Sequence, residues 1–326
     1  MYTNILFVEN KLINLKPKGP NINIIFYMNI DLSNFNKNIY SQFGEDGIIE
    51  EILSKLQDNC NLECCEFGAW DGIHLSNTYN LILNKNYNAL LIEPNKKKFK
   101  DLCKNIPQER AKKVNIFVEF EGNNSLDSLL EIYKFKKNFD FLSIDVDGND
   151  YHIFNSIKKY QPKIVCIEYN PTIPNDVIFV QEKNEKINHG SSALALINLA
   201  KIKNYSPIAA TKGNIFFCHN DFKSKVVGEK NYSIDELIDD SEIKNYIFSG
   251  MDGTIFTSRD LHLPWHGIII KKIKLIPNHF NEFPANFNFL KRIAFIFYSY
   301  FKNPKNYRNK PQKYLKKLKD IFKIKI

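Results

Sequence analysis

Apolar residues arrive along this chain in short bursts, and each burst follows one of two periods. The runs Glu63–Phe67, Ala89–Glu93, Val114–Phe120, Phe139–Asp145 and Ile164–Tyr169 are almost continuously apolar, which predicts strands buried on both faces. Between them the spacing changes to i, i+3, i+4, i+7. Phe99, Leu102, Cys103 and Ile106 follow it after the second run. Leu126, Leu129, Leu130 and Tyr133 follow it after the third, with Asn124 or Ser125 as the cap. Ser76–Leu83 starts a further helix, capped by Ser76 or Asn77. An earlier one is predicted where Ile48, Ile49, Ile52, Leu53 and Leu56 share a face behind Tyr40–Gly47, Y-S-Q-F-G-E-D-G, and there Gln42, Glu45 and Asp46 read as helix-start caps.

The polar stretch Pro171–Gly190 separates the fifth run from a helix at Ser191–Ile202, and loops of that length are uncommon unless functional. Tyr205–Ala210 and Asn214–His219, joined by Thr211-Lys212-Gly213, read as a hairpin. The pattern therefore predicts an α/β fold, a doubly wound, mostly parallel seven-stranded sheet closed by an antiparallel C-terminal hairpin. Residues 1–37 read as a lead-in and 38–220 as the main domain. Residues 221–288 read as an extension shaping a substrate pocket, with an acidic helix near Ile234–Tyr246 and the odd L-P-W-H-G at Leu263–Gly267. Residues 289–326 read as a basic tail.

Composition changes this picture little, but the location of charge changes it more. The 326 residues are 44% hydrophobic and 25% charged, ordinary for a globular chain with a full core. Six cysteines show no zinc spacing, and Cys64, Cys65 and Cys166 fall inside strand runs, so reduced structural thiols are expected. No leader pattern is evident and no apolar run reaches the length of a membrane span, so a cytoplasmic protein is expected. The net charge is +9, yet Lys291–Ile326 holds 12 of the 45 basic residues and only Asp320 among the 36 acids. The tail is thus +11 and the body −2. Tyr314, Leu315, Leu318, Ile321 and Phe322 recur at helical spacing among those lysines, predicting a basic amphipathic helix. Such a helix can lie on an anionic membrane at the inner face, which suits it better than nucleic acid does, or it can be a solvated end whose apolar stripe docks on the body.

Candidate chemistry gathers at strand ends. Cys64–Gly72 reads C-C-E-F-G-A-W-D-G, a strand ending in an acid and opening into a tight turn where Gly68 and Gly72 permit positive φ and close approach to a ligand. Glu93 ends the second run 21 residues past Gly72, placed to take the hydroxyls of a ribose. Trp70 stands where a dinucleotide site needs its second glycine, and Glu66 and Asp71 would repel a pyrophosphate. A nucleoside with a cationic or zwitterionic arm fits better, and S-adenosylmethionine is such a ligand, its ammonium held by Glu66 or Asp71. Asp145, Asp147 and Glu168 end adjacent strands, and together with Asn170 they suit a general base or an oxygen-ligand site for Mg²⁺. Asp147, Glu168 and His189 are the candidate catalytic bases, and Asp145, Asp147 and Glu168 the candidate metal ligands. His152 reads as a helix-face histidine and His266 as packing beside Trp265. Asn170-Pro171-Thr172-Ile173 lacks the fourth-position aromatic that amino-directed nucleic-acid methyltransferases use to stack a flipped base.

Several motifs in order resemble one group. S-Q-F-G-E-D-G-I-I, E-F-G-A-W-D-G, the S-N-T after it, L-S-I-D-V-D-G-N-D, I-E-Y-N-P, G-S-S-A-L-A-L and N-I-F-F-C look like FkbM-type, class I S-adenosylmethionine-dependent methyltransferases over roughly residues 38–220. Where that family often has L-K-I-D-V-E-G-A-E, this chain has Asp147 and Asn149-Asp150. The resemblance implies a Rossmann-like fold and O-methylation of a sugar or glycoconjugate hydroxyl in surface-polysaccharide or natural-product biosynthesis. It implies a cofactor set of Gln42, Glu66, Gly68, Ala69, Asp71, Gly72, Asn77, Glu93, Asn124, Ser125 and Asp145, with the acceptor a small molecule or glycan. The alternatives are a nucleic-acid methyltransferase and a non-catalytic nucleoside-binding scaffold tethered to a membrane.

Overall fold

The computed structural model describes residues 31–107, 109–250, 254–263, 267–270 and 276–302, with 304 and 316 beyond. The chain divides into two compact units that meet between Asp239 and Asp240. In the first unit the order is α1 (Glu45–Lys55), β1 (Glu63–Phe67), α2 (Tyr79–Asn84), β2 (Asn88–Ile92), α3 (Lys96–Asn105), β3 (Ala111–Val114), α4 (Leu126–Ile132) and β4 (Phe141–Ile144). Then come α5 (Asp150–Ser156), β5 (Ile164–Glu168), α6 (Ala193–Ile202), β6 (Tyr205–Ala210), β7 (Asn214–His219), α7 (Asn220–Val227) and α8 (Ile234–Leu237). The second unit holds two antiparallel pairs, β8 (Ile247–Ser249) with β9 (Ile255–Thr257) and β10 (Leu261–Leu263) with β11 (Ile268–Ile270), followed by α9 (Phe289–Lys302).

The seven strands of the first unit form one sheet in the order β3-β2-β1-β4-β5-β7-β6. Neighbours from β3 to β5 are parallel, and β7 runs antiparallel to both β5 and β6. Alternate residues of each apolar run feed opposite layers, which is why the runs are continuous rather than alternating. Cys64, Leu91, Phe141 and Cys166 pack under α1, α2, α3 and α7. Cys65, Leu90, Leu142 and Val165 pack under α4, α5 and α6. All six cysteines are free thiols, four of them buried. Pro207 lies in β6, the sheet edge, where a missing N–H costs no ladder bond, and the register slips beside it.

The fold agrees with the predicted architecture, and the local differences have physical causes. The third strand is Ala111–Val114, not Val114–Phe120. Its partner β2 runs out at Pro94, and after the Glu93 N–H to Val114 bond the Asn115 amide takes the carbonyls of Glu93 and Pro94 itself. Ile116–Val118 is therefore a loop whose Val118 still reaches the core. The acidic helix shrinks to α8: Ser233 and Glu236 form a capping box, but the Asn175 amide pulls the Ile238 carbonyl out of the next turn. Helix α6 starts at Ala193 with Ser192 as its cap, and α4 takes Ser125 rather than Asn124. Leu32, in the expected lead-in, is buried against α1. The sites 1–30, Pro264–His266 and the tail residues Tyr314, Leu315, Leu318, Ile321 and Phe322 lie outside the described residues.

Candidate active site

Between β1 and β4 the direction of winding reverses, and in such sheets ligands bind beyond the carboxyl ends of the strands at that point. Gly68 follows β1 there with φ +87°, and a Cβ on it would lie 1.7 Å from the Asp145 carbonyl oxygen after β4. Only glycine lets the two strand ends close on each other. Gly72, at φ +82°, is needed for a different reason: a Cβ would strike Leu102 and Ile106 of the α3 region. The glycines expected to admit a ligand thus admit other parts of the protein first.

The acids of this turn are already engaged. Glu66 is buried and accepts bonds from the Ser76 hydroxyl (2.6 Å), the Thr78 hydroxyl (2.6 Å) and the Asn77 N–H (2.8 Å). Burial pushes its carboxyl above the usual range against those three donors. It braces the loop entering α2. Asp71 accepts from Ile73 and His74 N–H groups and closes the same turn. Glu93 joins two turns: one oxygen accepts the Trp70 N–H (2.8 Å), the other the Asn95 N–H (2.7 Å). Burial raises its carboxyl too. Trp70 takes φ +48° in this clasp, with its ring exposed and the Lys98 ammonium 4.3 Å above it. The backbone N–H of the buried Ala69 is fixed to the Ile92 carbonyl, and the Asn77 amide reaches under the crevice to the Ser143 hydroxyl.

The motif around Gln42 folds as a staple. One oxygen of buried Asp46 gathers the N–H groups of Ile39, Tyr40 and Ser41. Buried Glu45 reaches the Thr211 hydroxyl (2.6 Å) and the Asn214 amide (3.1 Å) in the hairpin turn. Gln42 itself is exposed. Asn124 is exposed as well, and Ser125 spends its hydroxyl capping α4.

Across the crevice, Asp145, Asp147 and Glu168 each place a carboxylate oxygen within 4.8 Å of the others. Asp145 and Glu168 act directly on each other. Burial first, and then the neighbouring carboxylates, push both well above the carboxylate range. Asp147 is exposed at φ +54°, held there because both oxygens of buried Asp150 accept bonds, from Val146 and Gly148 N–H groups at 2.9 Å. No salt bridge among the described residues brings a lysine or arginine to these three acids. The donor set is all carboxylate oxygen, the chemistry hard divalent cations prefer.

Gln181, which no sequence signal singles out, organises the long insert. Its buried side chain donates to the Ile187 carbonyl (2.7 Å) and accepts from the N–H groups of His189 (2.8 Å) and Gly190 (3.0 Å). Its carbonyl bonds the His152 ring (2.7 Å), so the insert is tied to α5. Gly148 packs against the same side chain. Asn170 anchors the other end through the His189 carbonyl. The His189 ring is exposed and tilts against Phe179 at 6.4 Å. Beside the Asp147 turn an open cleft of about 270 Å³ is lined by Phe120, Asn149, Lys183, Asn184, Glu185 and Lys186.

Residues 122–189, from the entrance of α4 through the carboxylates to His189, match the family model of the methyltransferase FkbM domain. That stretch of the chain is similar to the FkbM-type methyltransferases. No curated protein matches the chain. Among solved structures, an O-methyltransferase from Bacillus cereus in complex with SAH is similar at 17% identity and TM-score 0.36, covering 60% of this chain and 91% of that one. A precorrin-6y C5,15-methyltransferase from Geobacter metallireducens is similar at 13% and 0.34, covering 60% and 97%. An S-adenosylmethionine-dependent methyltransferase from Clostridium acetobutylicum is similar at 8% and 0.35, covering 54% and 92%. At such TM-scores these likenesses carry no argument, and the fold rests on the strand order itself.

Proposed function

We propose that this FkbM-type methyltransferase uses S-adenosylmethionine to methylate a hydroxyl of a sugar or glycoconjugate in surface-polysaccharide or natural-product biosynthesis. The observation that carries the reading is the crevice at the winding reversal. It has a glycine turn and Glu93 on one wall, and on the other three carboxylates that no lysine or arginine among the described residues pairs with. A cofactor arm bearing an ammonium, or Mg²⁺ on Asp145, Asp147 and Glu168, would supply that charge. The nucleoside would lie along the Gly68–Gly72 turn, with its ribose hydroxyls on the remaining lone pairs of Glu93.

Methyl transfer from a sulfonium is an in-line displacement: the acceptor oxygen bonds the methyl carbon, the carbon–sulfur bond breaks, and the hydroxyl proton leaves to a base. The protein must hold that oxygen roughly 3 Å from the methyl carbon. Asp147 is the favoured base, because it is the exposed member of the carboxylate cluster, whereas the His189 ring tilts against Phe179. Mg²⁺, when bound, would lower the pKa of the hydroxyl. The cleft lined by Phe120 and Lys183 is the favoured entrance for the acceptor.

The test is calorimetric titration with S-adenosylhomocysteine and with NAD, on the wild type and on Glu93→Ala. Micromolar binding of the first ligand alone, lost in the variant, supports the reading. Silence with both ligands sinks it, and a preference for NAD replaces it with a dinucleotide site.

A further inference from the structure

Helix α9 carries an apolar stripe that its own unit leaves uncovered. Leu290, Ala294, Phe297 and Phe301 recur at i, i+4, i+7 and i+11, within an arc of about 60° at helical pitch. Leu290 is 75% exposed, Phe297 56% and Phe301 76%. Another side of the same helix is held in place: Phe295 packs on Phe280 and Phe287, each at 5.3 Å, and Tyr298 on Phe280 at 5.4 Å. The helix is therefore docked and oriented, with its stripe turned outward.

Its charges are fixed alongside. Lys291 pairs with Glu282 at 2.8 Å and Arg292 donates to the Ala285 carbonyl. From Lys291 to the end the sequence has 12 basic residues against one acid. In the same unit Ile247, Phe248, Ile268 and Ile269 are also about half exposed or more. At 14 residues, α9 is too short to cross a bilayer.

We infer that the second unit docks on an anionic lipid surface, with α9 lying in the interface, its stripe in the acyl boundary and its basic residues among the headgroups. An apolar stripe wants hydrocarbon and the charge excess wants phosphate, and only a membrane surface offers both side by side. Nucleic acid would meet the charge, but it would leave Leu290 and Ala294 without a stacking partner.

The full-length protein is co-sedimented with vesicles of phosphatidylcholine alone and of phosphatidylcholine with phosphatidylglycerol. Expected is binding to the anionic vesicles only, weakened in high salt. Leu290→Ser/Phe297→Ser/Phe301→Ser should weaken it by about tenfold or more, with the melting temperature unchanged because all three side chains are exposed. Wild-type binding to neither vesicle, or to both equally, overturns the inference. So does a triple variant that sediments like the wild type. Polyuridylate RNA that binds wild type and triple variant alike, while displacing both from vesicles, would assign the charge to nucleic acid instead.

Discussion

Asp140 and Lys163 form an ion pair at the amino ends of β4 and β5, the opposite edge of the sheet from the crevice, and each is almost fully buried. The two partners are not equally replaceable. Asp140 also accepts the N–H groups of Asn61 (2.9 Å), Leu62 (2.8 Å) and Glu63 (3.4 Å), which lead the chain into β1. Among the described residues the Lys163 ammonium has one other hydrogen-bond partner, the Asn61 side-chain oxygen at 2.8 Å. Removing the carboxylate by Asp140→Ala strands a buried ammonium and at least two backbone donors. Breaking a buried pair costs about 3–5 kcal/mol, and the orphaned donors place this variant at the upper end. Lys163→Met leaves a carboxylate that still holds its three N–H groups, and a loss of about 2 kcal/mol is expected. Urea unfolding followed by circular dichroism measures both. Strands of four or five residues separate the pair from the crevice by about 13–17 Å. Ligand affinity at a temperature where the variant is folded should therefore stay at the wild-type value. An Asp140→Ala loss below about 1 kcal/mol, or a Lys163→Met variant that is the weaker of the two, would refute this account of the pair.

Gly68→Ala should separate the ends of β1 and β4, since its Cβ falls 1.7 Å from a backbone oxygen at positive φ. Loss of S-adenosylhomocysteine binding in a chain that still folds at low temperature is expected in calorimetry. Burial lowers the Lys203 ammonium from 10.5 to about 8 even though it donates to the Ile157 carbonyl. The native state therefore sheds this proton before the unfolded chain does and binds fewer protons between pH 8 and 10.5. Stability attributable to Lys203 should rise with pH across that window, by about 1–3 kcal/mol. Lys203→Met should remove that rise in denaturation curves taken at successive pH values. Gln181→Ala takes three side-chain bonds from the Pro171–Gly190 insert. Limited trypsin digestion should then cut at Lys183 and Lys186 several-fold faster than in the wild type, while unfolding shifts by only about 1–3 kcal/mol.

The layered sheet was legible because burial on two faces leaves a one-dimensional trace: continuous apolar runs alternating with helical spacing, ended by glycine or proline. The acids at the strand ends were legible for the same reason, since Glu93, Asp145 and Glu168 terminate such runs. What each acid does was not. Glu66 looks like Glu93 in the sequence, yet the Ser76 and Thr78 hydroxyls and the Asn77 N–H engage both its oxygens, and only the folded turn decides that. The third strand was misplaced because an apolar run records burial, whereas a strand also needs a partner, and β2 had ended.

The sequence by itself thus determined the architecture, the acids that end β2 and β5 and the concentration of positive charge in the last 36 residues, since these depend on local periodicity and composition. Tertiary structure alone decided that Gly68 is required by its approach to the Asp145 carbonyl. It also decided that Gln181 holds the insert and that three acids from two strands converge within 4.8 Å. Gly68 and Asp145, like Asp145 and Glu168, lie tens of positions apart, and no spacing along a chain records a distance that only the packing of the sheet creates.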